Sequence, residues 1–150
     1  MTTIQDILAK YGETTVDIIR GNMANAGQNA TGDTARSLRS ETIGKNRVQV
    51  SGPAHVWVLE TGRKPYQGGA PANPRLITRL QRWLDAKGLD LPVSAVYRKI
   101  QDHGTKLYRM GGRTDIITPA LSQDRVDQVL KEVADAKLKI YVQEIDEIIS

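Results

Sequence analysis

The chain has 150 residues, of which 25% are charged and 39% hydrophobic, and its formal net charge is +4. This length predicts one domain, 1–150, with a core that needs no metal or disulfide. There is no cysteine, which excludes thiol catalysis, disulfides and Cys-based zinc sites, and His55 and His103 alone make a poor metal set. No signal peptide or membrane span of roughly 20 apolar residues is visible, so we expect a soluble, unexported protein without a cofactor.

Charge is divided unevenly along the chain. The net charge is −2 over residues 1–35, +10 over 36–113 and −4 over 114–150. A basic middle between acidic ends indicates a polyanion partner or head-to-tail contacts between copies. The alternative is a solvated surface on which charge is simply uneven.

The first half predicts a helix followed by strands. Apolar residues recur at helical spacing from residue 3 to about 24, with Gly12 expected to weaken or bend the helix. Residues 33–44 fit either a helical turn at Asp33 or an edge strand. Residues 47–51 alternate as in a half-exposed strand, whereas the apolar run 56–59, with Trp57 and Leu59, predicts an interior strand.

The second half predicts three helices. Asn73-Pro74 is a strong helix start and Lys87-Gly88 a typical end, and Trp83 lies on the apolar stripe between them. A second helix runs from about Pro92 to Gly104, and a long final helix opens at 118–119. The intervening TDIIT is β-branched enough for one more strand. The fold class is therefore α+β: a small antiparallel sheet of three to four strands with an N-terminal helix, a helical hairpin and a long C-terminal helix.

Two basic, glycine-containing segments, 63–71 and 105–113, are predicted to be contact loops. Neither has the spacing of a phosphate-binding loop. Clustered positive charge is enough for non-specific contact with DNA phosphates, and equally suits a neighbouring subunit. The expected contact residues of these loops are Arg63, Lys64, Tyr66, Lys106, Arg109 and Arg113.

No set of nucleophile, base and orienting group is recognisable. Glu60 is the one acid beside an apolar run that looks buried, and a carboxylate there can serve as a general base. More often such a carboxylate pairs with an arginine or accepts backbone hydrogen bonds. Glu60 alone is a weak basis for predicting an enzyme. The residues expected to be structural are Trp57, Leu59, Glu60, Gly62, Trp83 and Gly104, with Trp57 and Trp83 as large members of an otherwise aliphatic core.

The order of several short motifs carries a resemblance. They are Thr31-Gly32, Arg36-Ser37-Leu38, Val48-Gln49-Val50, His55 to Gly62 ending in Leu59-Glu60-Thr61-Gly62, Ile100 to Gly104-Thr105, and Pro119-Ala120-Leu121. In this order the chain resembles the tail-completion, neck or head-tail joining proteins of long-tailed double-stranded DNA bacteriophages. It departs from them at Asp33-Thr34-Ala35, at His55-Val56-Trp57 and in a longer helical hairpin. The same fold family includes tail terminators and other minor virion proteins.

The resemblance implies a virion structural protein without enzymatic activity. Its implied place is an oligomeric ring at the neck or the top of the tail tube, assembled in the host cytoplasm. Its implied partners are further copies, portal or adaptor proteins and tail terminator or tube proteins, with possible non-specific contact with packaged DNA. A small basic DNA-binding module is the alternative from another class.

Overall fold

A computed structural model describes residues 2–66 and 72–149. The helices in chain order are α1 (Ile4–Asn25), α2 (Asp33–Ser37), α3 (Val58–Thr61), α4 (Pro74–Lys87), α5 (Val93–His103), α6 (Lys106–Arg109) and α7 (Gln123–Ile149). The strands are β1 (Arg39–Ile43) and β2 (Arg47–Ser51), and a 3₁₀ helix spans Thr118–Leu121. The predicted α+β class is confirmed.

Helix α1 is the support on which the sheet lies. It begins at a capping box in which Thr3 and Asp6 exchange side-chain and backbone hydrogen bonds. The helix continues without interruption through Gly12, which is buried. A Cβ at Gly12 would lie 2.6 Å from Cγ2 of Val48 and 2.9 Å from Cβ of Ser40. The absence of a side chain at Gly12 therefore lets the sheet approach the helix closely. The sequence indicates a weakened or bent helix at Gly12, but not this packing role.

The described sheet has two strands, and the predicted count of three to four is too high. β1 and β2 are antiparallel, with Arg39 opposite Ser51 and Ile43 opposite Arg47. Both strands alternate exposed and half-buried residues, as predicted for 47–51. Residues 33–44 combine the two alternatives, because α2 precedes β1.

The interior strand predicted over 56–59 is wrong. Residues 54–57 form turns that lead into α3, and the N–H of Leu59 donates to the carbonyl of Val56. Val56 and Leu59 are partly buried against the core, whereas Trp57 is 58% exposed. The buried positions are thus three apart, which is helical spacing. The expected core role of Trp57 is not supported, while that of Leu59 is.

The strand predicted at TDIIT is also wrong. Residues 115–117 form a bend before the 3₁₀ helix, and Ile116 and Ile117 are buried. Their backbone N–H groups donate to a carboxylate rather than to a strand. Their apolar side chains and β-branching are explained by burial in the core rather than by a sheet.

The helical hairpin is confirmed. The Asn73 side chain accepts from the N–H of Leu76, and α4 ends at Gly88 in the left-handed conformation with φ 63°. α5 ends at Gly104, as predicted, and packs against α4. Leu84 is fully buried, but Trp83 is 39% exposed, so its predicted core position is wrong.

The long C-terminal helix is confirmed, although it begins at Gln123, after the 3₁₀ helix that occupies the predicted start. The core is aliphatic, as the absence of phenylalanine requires, and lies between α1, α2, the sheet and residues 116–120. Its buried members are Val16, Ile19, Met23, Ala35, Leu38, Ile116, Ile117 and Ala120.

Candidate interaction surface

Glu60 is a buried carboxylate, 8% exposed, that holds two distant segments together. Its Oε1 accepts hydrogen bonds from the backbone N–H groups of Ile116, Ile117 and Thr118, at 2.9, 2.6 and 2.9 Å. Its Oε2 accepts from the Thr118 hydroxyl at 2.8 Å. Both oxygens are occupied by donors, so Glu60 is a structural acceptor, and we call this arrangement the Glu60 clamp.

The clamp also sets the ionisation of Glu60. Burial, the largest single effect, raises the pKa of this carboxyl. The hydrogen bonds from Thr118, Ile116 and Ile117 together outweigh burial and bring the pKa below its ordinary value. The group is therefore a carboxylate at neutral pH and does not have the raised pKa of a poised general acid.

Immediately after the clamp, residues 63–66 of the first predicted contact loop lie beside the start of the second. The N–H of Arg63 donates to Oγ1 of Thr105, and the N–H of Thr105 donates back to the carbonyl of Arg63, each at 2.9 Å. The N–H of Tyr66 donates to the carbonyl of Gln101. The loops are 42 residues apart in sequence, and these bonds make them one surface.

Glycines allow this close approach. Gly62 and Gly104 have φ of 70° and 75°, where other residues are strained. A Cβ on Gly62 would collide with the backbone N of Tyr108, and one on Gly104 would lie 2.8 Å from the carbonyl oxygen of Arg63. Both glycines were expected to be structural, and the backbone geometry supports that role.

The loop junction carries a surface that we call the basic patch: Arg63, Lys64, Lys106 and Arg109 with Tyr66, Tyr108 and Met110. Lys106 and Arg109 are exposed on α6, a single turn where the sequence predicts a loop. The three apolar members of the patch are between 42% and 69% exposed. Residues 67–71 of the first predicted contact loop lie outside the described residues.

Arg113 does not share the character of the basic patch. Its guanidinium donates to both carboxylate oxygens of Asp115, at 2.5 and 2.6 Å, and this contact holds the pKa of Asp115 below its usual range. Its backbone N–H donates to the carbonyl of Glu60. Arg113 therefore reinforces the clamp, and its charge is largely neutralised.

A second surface lies at the far end of α7. Arg125 fixes the start of this helix on α1: it donates to Oγ1 of Thr15 at 3.0 Å and lies over the Tyr11 ring. Ile7, which precedes Thr15 in α1, lines the same groove as Glu132, which follows Arg125 in α7. Because residue numbers fall along α1 as they rise along α7, the two helices are antiparallel. At 1.5 Å per residue, α1 begins level with about residue 136 of α7.

The last turns of α7 thus extend beyond α1 by about 20 Å. We call residues 137–149 the projecting end, and every one of them is exposed. Its large apolar side chains are between 37% and 84% exposed: Leu138, Ile140, Tyr141, Val142, Ile145, Ile148 and Ile149. In the sequence, Leu138, Val142 and Ile149 widen the apolar surface of the final helix beyond one stripe, which predicts that part of this helix packs on another subunit or on the N-terminal helix.

No protein-family model matches the chain, and neither the curated proteins nor the solved structures contain a match. Among residues 2–66 and 72–149, no group of three or more histidine, cysteine or acidic side chains is placed to hold a metal ion. Over the same residues, none of the helices combines the length and the apolar character needed to cross a bilayer.

Proposed function

We propose that the protein is a structural subunit of a tailed bacteriophage particle. In this proposal it forms or completes an oligomeric ring at the head-tail junction or at the top of the tail tube, and joins tail to head. It acts by assembly and catalyses no reaction. The proposal starts from the resemblance carried by six short motifs and is supported by the positions of those motifs in the fold.

The carrying observation is that three of these motifs meet in space. Leu59-Glu60-Thr61-Gly62 supplies the clamp carboxylate and the glycine that contacts α6. Gly104-Thr105 bonds to Arg63, directly after the first motif. Pro119-Ala120-Leu121 follows the clamped residues and places Ala120, fully buried, in the core. Motifs recognised only by their order thus form one junction, which supports a shared fold over a chance succession.

The remaining motifs have structural positions as well. Leu38, from Arg36-Ser37-Leu38, is 3% exposed in the core. Val48 contacts α1 at Gly12, and Val50 packs against the core from the same strand. These side chains are used for packing, which favours a structural over a catalytic interpretation of the motifs.

The position of the chain in the particle distinguishes a subunit of this ring from the alternative virion roles, such as a minor tail protein. The chain should be located in an electron-microscopy map of assembled particles, with its identity checked by mass spectrometry of the same preparation. We expect a ring of copies between the portal and the tail tube. A ring inside the tail, distal to the terminator, would favour a minor tail protein, and absence from purified particles would contradict a virion role.

A small DNA-binding module is the second candidate, and the basic patch is the observation that favours it. Contacts with phosphates release counterions, so such a module should retain DNA strongly at low salt and lose it as salt rises. A gel-shift titration of the purified chain measures this directly. Sequence-specific retention at physiological salt would favour this candidate over the ring subunit.

A further inference from the structure

We infer that the projecting end of one copy docks on the basic patch of a second copy. The inference rests on the proposed ring and names the two surfaces that join neighbours in it. Its partner is a second copy because Glu144 and Glu147, toward the C-terminal end of the projecting end, are opposite in charge to the basic patch, and because both surfaces are partly apolar. Neither is covered by other residues that the structure describes.

The projecting end has the character of a helix that binds in a groove. Leu138, Tyr141, Ile145 and Ile148 follow the spacing i, i+3, i+7 and i+10, which places them on one face. Glu144 and Glu147 are exposed on the later turns of this segment, whereas Lys137 and Lys139 are exposed on its first turn, so the carboxylates lie toward its C-terminal end. A helix with an apolar face and adjacent carboxylates fits a surface that offers apolar contacts within a positive rim.

The basic patch offers those features. Lys106 and Arg109 are exposed on α6, and Tyr108 and Met110 are 42% and 69% exposed beside them. Lys64 and Tyr66 face solvent from the neighbouring loop. Duplex DNA would use the cationic groups of this patch but would leave its exposed methionine without an apolar partner, so the observations favour the helix.

Within one molecule, α7 packs against α1 and the 3₁₀ helix among the described residues, whereas α6 of the basic patch packs against α3. The Glu60 clamp, which holds the patch, binds residues 116–118, and α7 begins at Gln123. From there the axis of α7 runs about 22 Å to Leu138 and about 39 Å to Ile149. A contact between two different surfaces is heterologous, and repeated copies close into a ring if the rotation allows.

The contact should be weak between two isolated copies. One face of a helix about 20 Å long and about 10 Å wide covers a few hundred Å², below the about 800 Å² per partner of a specific interface. In a closed ring each copy makes the contact twice. We therefore expect self-association only at high concentration or on the assembled particle.

Photo-crosslinking tests the contact directly. A photo-reactive phenylalanine analogue replaces Tyr141 in the full chain, and a matched control replaces Leu130, which is 59% exposed on the part of α7 that packs against α1. At high protein concentration we expect position 141 to crosslink to residues 63–66 or 106–110 of a second copy. Position 130 should not. No intermolecular crosslink, or crosslinks only between two projecting ends, would overturn the inference.

Charge reversal adds a second readout. Glu144→Lys with Glu147→Lys, or Lys106→Glu with Arg109→Glu, should each reduce crosslinking at least several-fold. Mixing the two variants restores both contacts, because the reversed helix meets the reversed patch and the unchanged helix meets the unchanged patch. Crosslinking between the two variants should therefore return, while each variant alone stays low. Circular dichroism confirms that each variant is folded, since all four positions are exposed.

Three further outcomes decide against the docking contact or separate it from the proposed function. If the patch variant loses DNA retention at low salt while crosslinking is unchanged, the patch binds nucleic acid and the inference is wrong. If crosslinks form as expected but the chain is absent from particles, the contact stands and the virion role fails. If the chain is present in particles but its crosslinks join other surfaces, the virion role stands and the docking contact is wrong.

Discussion

At the scale of single residues, Glu60 shows how one side chain fixes the path of a distant segment. Its carboxylate accepts from three consecutive backbone N–H groups, which begin 56 residues later in the chain. A buried backbone donor without a partner is costly, so the segment is held where these donors meet the carboxylate. The Thr118 hydroxyl, at 2.8 Å, completes the set of donors.

Replacing Glu60 should therefore reduce stability far more than replacing an exposed glutamate. Glu60→Ala leaves three backbone donors without their acceptor, and we expect a loss of about 3 kcal/mol or more in the free energy of unfolding. Glu60→Gln keeps the shape but not the charge, and should cost about 1–2 kcal/mol. Urea unfolding measures both. The control is Glu41→Gln on β1, where the side chain is exposed and the expected change is within about 0.5 kcal/mol.

The same carboxylate predicts a pH dependence. The pKa of Glu60 is lower in the folded chain than its ordinary value of 4.5, so the ionised form favours folding. Its contribution is complete above pH 4.5 and is lost as pH falls through the folded pKa. As pH falls below 5, the free energy of unfolding of Glu60→Gln should therefore decrease less than that of the parent chain. Urea unfolding at a series of pH values measures this difference. Parallel curves for the two proteins would contradict this linkage.

The sequence supports only part of this account. A carboxylate beside an apolar run is more often a buried hydrogen-bond acceptor than a general base, and Glu60 is such an acceptor. The identity of its donors depends on contacts across more than 50 residues, which local patterns do not encode. Arg125 was missed altogether, because its contacts with Thr15 and Tyr11 on α1 depend on how two distant helices pack.

At the scale of elements, helices were predictable where local chemistry defines their ends. Asn73 caps α4 and Gly88 ends it, both within a few residues of the positions they control. The strand errors at 56–59 and 114–118 have one cause, since a short apolar run is compatible with either a strand or an irregular buried segment. Tertiary contacts to the core and the clamp decide between them.

Two glycines of α1 should respond to alanine with opposite signs. A Cβ at Gly12 would lie 2.6 Å from Val48, so the sheet must move, at a cost of about 1–3 kcal/mol. That cost exceeds the gain of about 1 kcal/mol in helix propensity. Gly21 has open space around its Cβ position, so Gly21→Ala should stabilise by about 0.5–1 kcal/mol. Thermal unfolding of both variants provides the comparison, and stabilisation by Gly12→Ala would show that the sheet does not press on α1.

At the scale of the whole molecule, two separate surfaces expose different side chains. The loop junction presents the basic patch, and the projecting end presents apolar side chains. Ile148 and Ile149 are 84% and 77% exposed, so they bury little surface in the isolated subunit and contribute little to its folding. An exposed apolar surface of this kind is typical of a contact with a partner, so folding and assembly depend on different parts of one helix.

Truncation of α7 should separate the two requirements. Of the described residues, a chain ending at Ala136 loses only exposed ones, 137–149, so its free energy of unfolding should stay within about 0.5 kcal/mol of the full chain. Its sedimentation should remain that of a monomer at concentrations where the full chain associates. A chain ending at Gln128 also loses Val129, which is 9% exposed, and Val133, and should lose at least about 2 kcal/mol. Equal destabilisation by both truncations would mean that the projecting end supports the fold of a single subunit, and that its apolar face has a covering within the monomer.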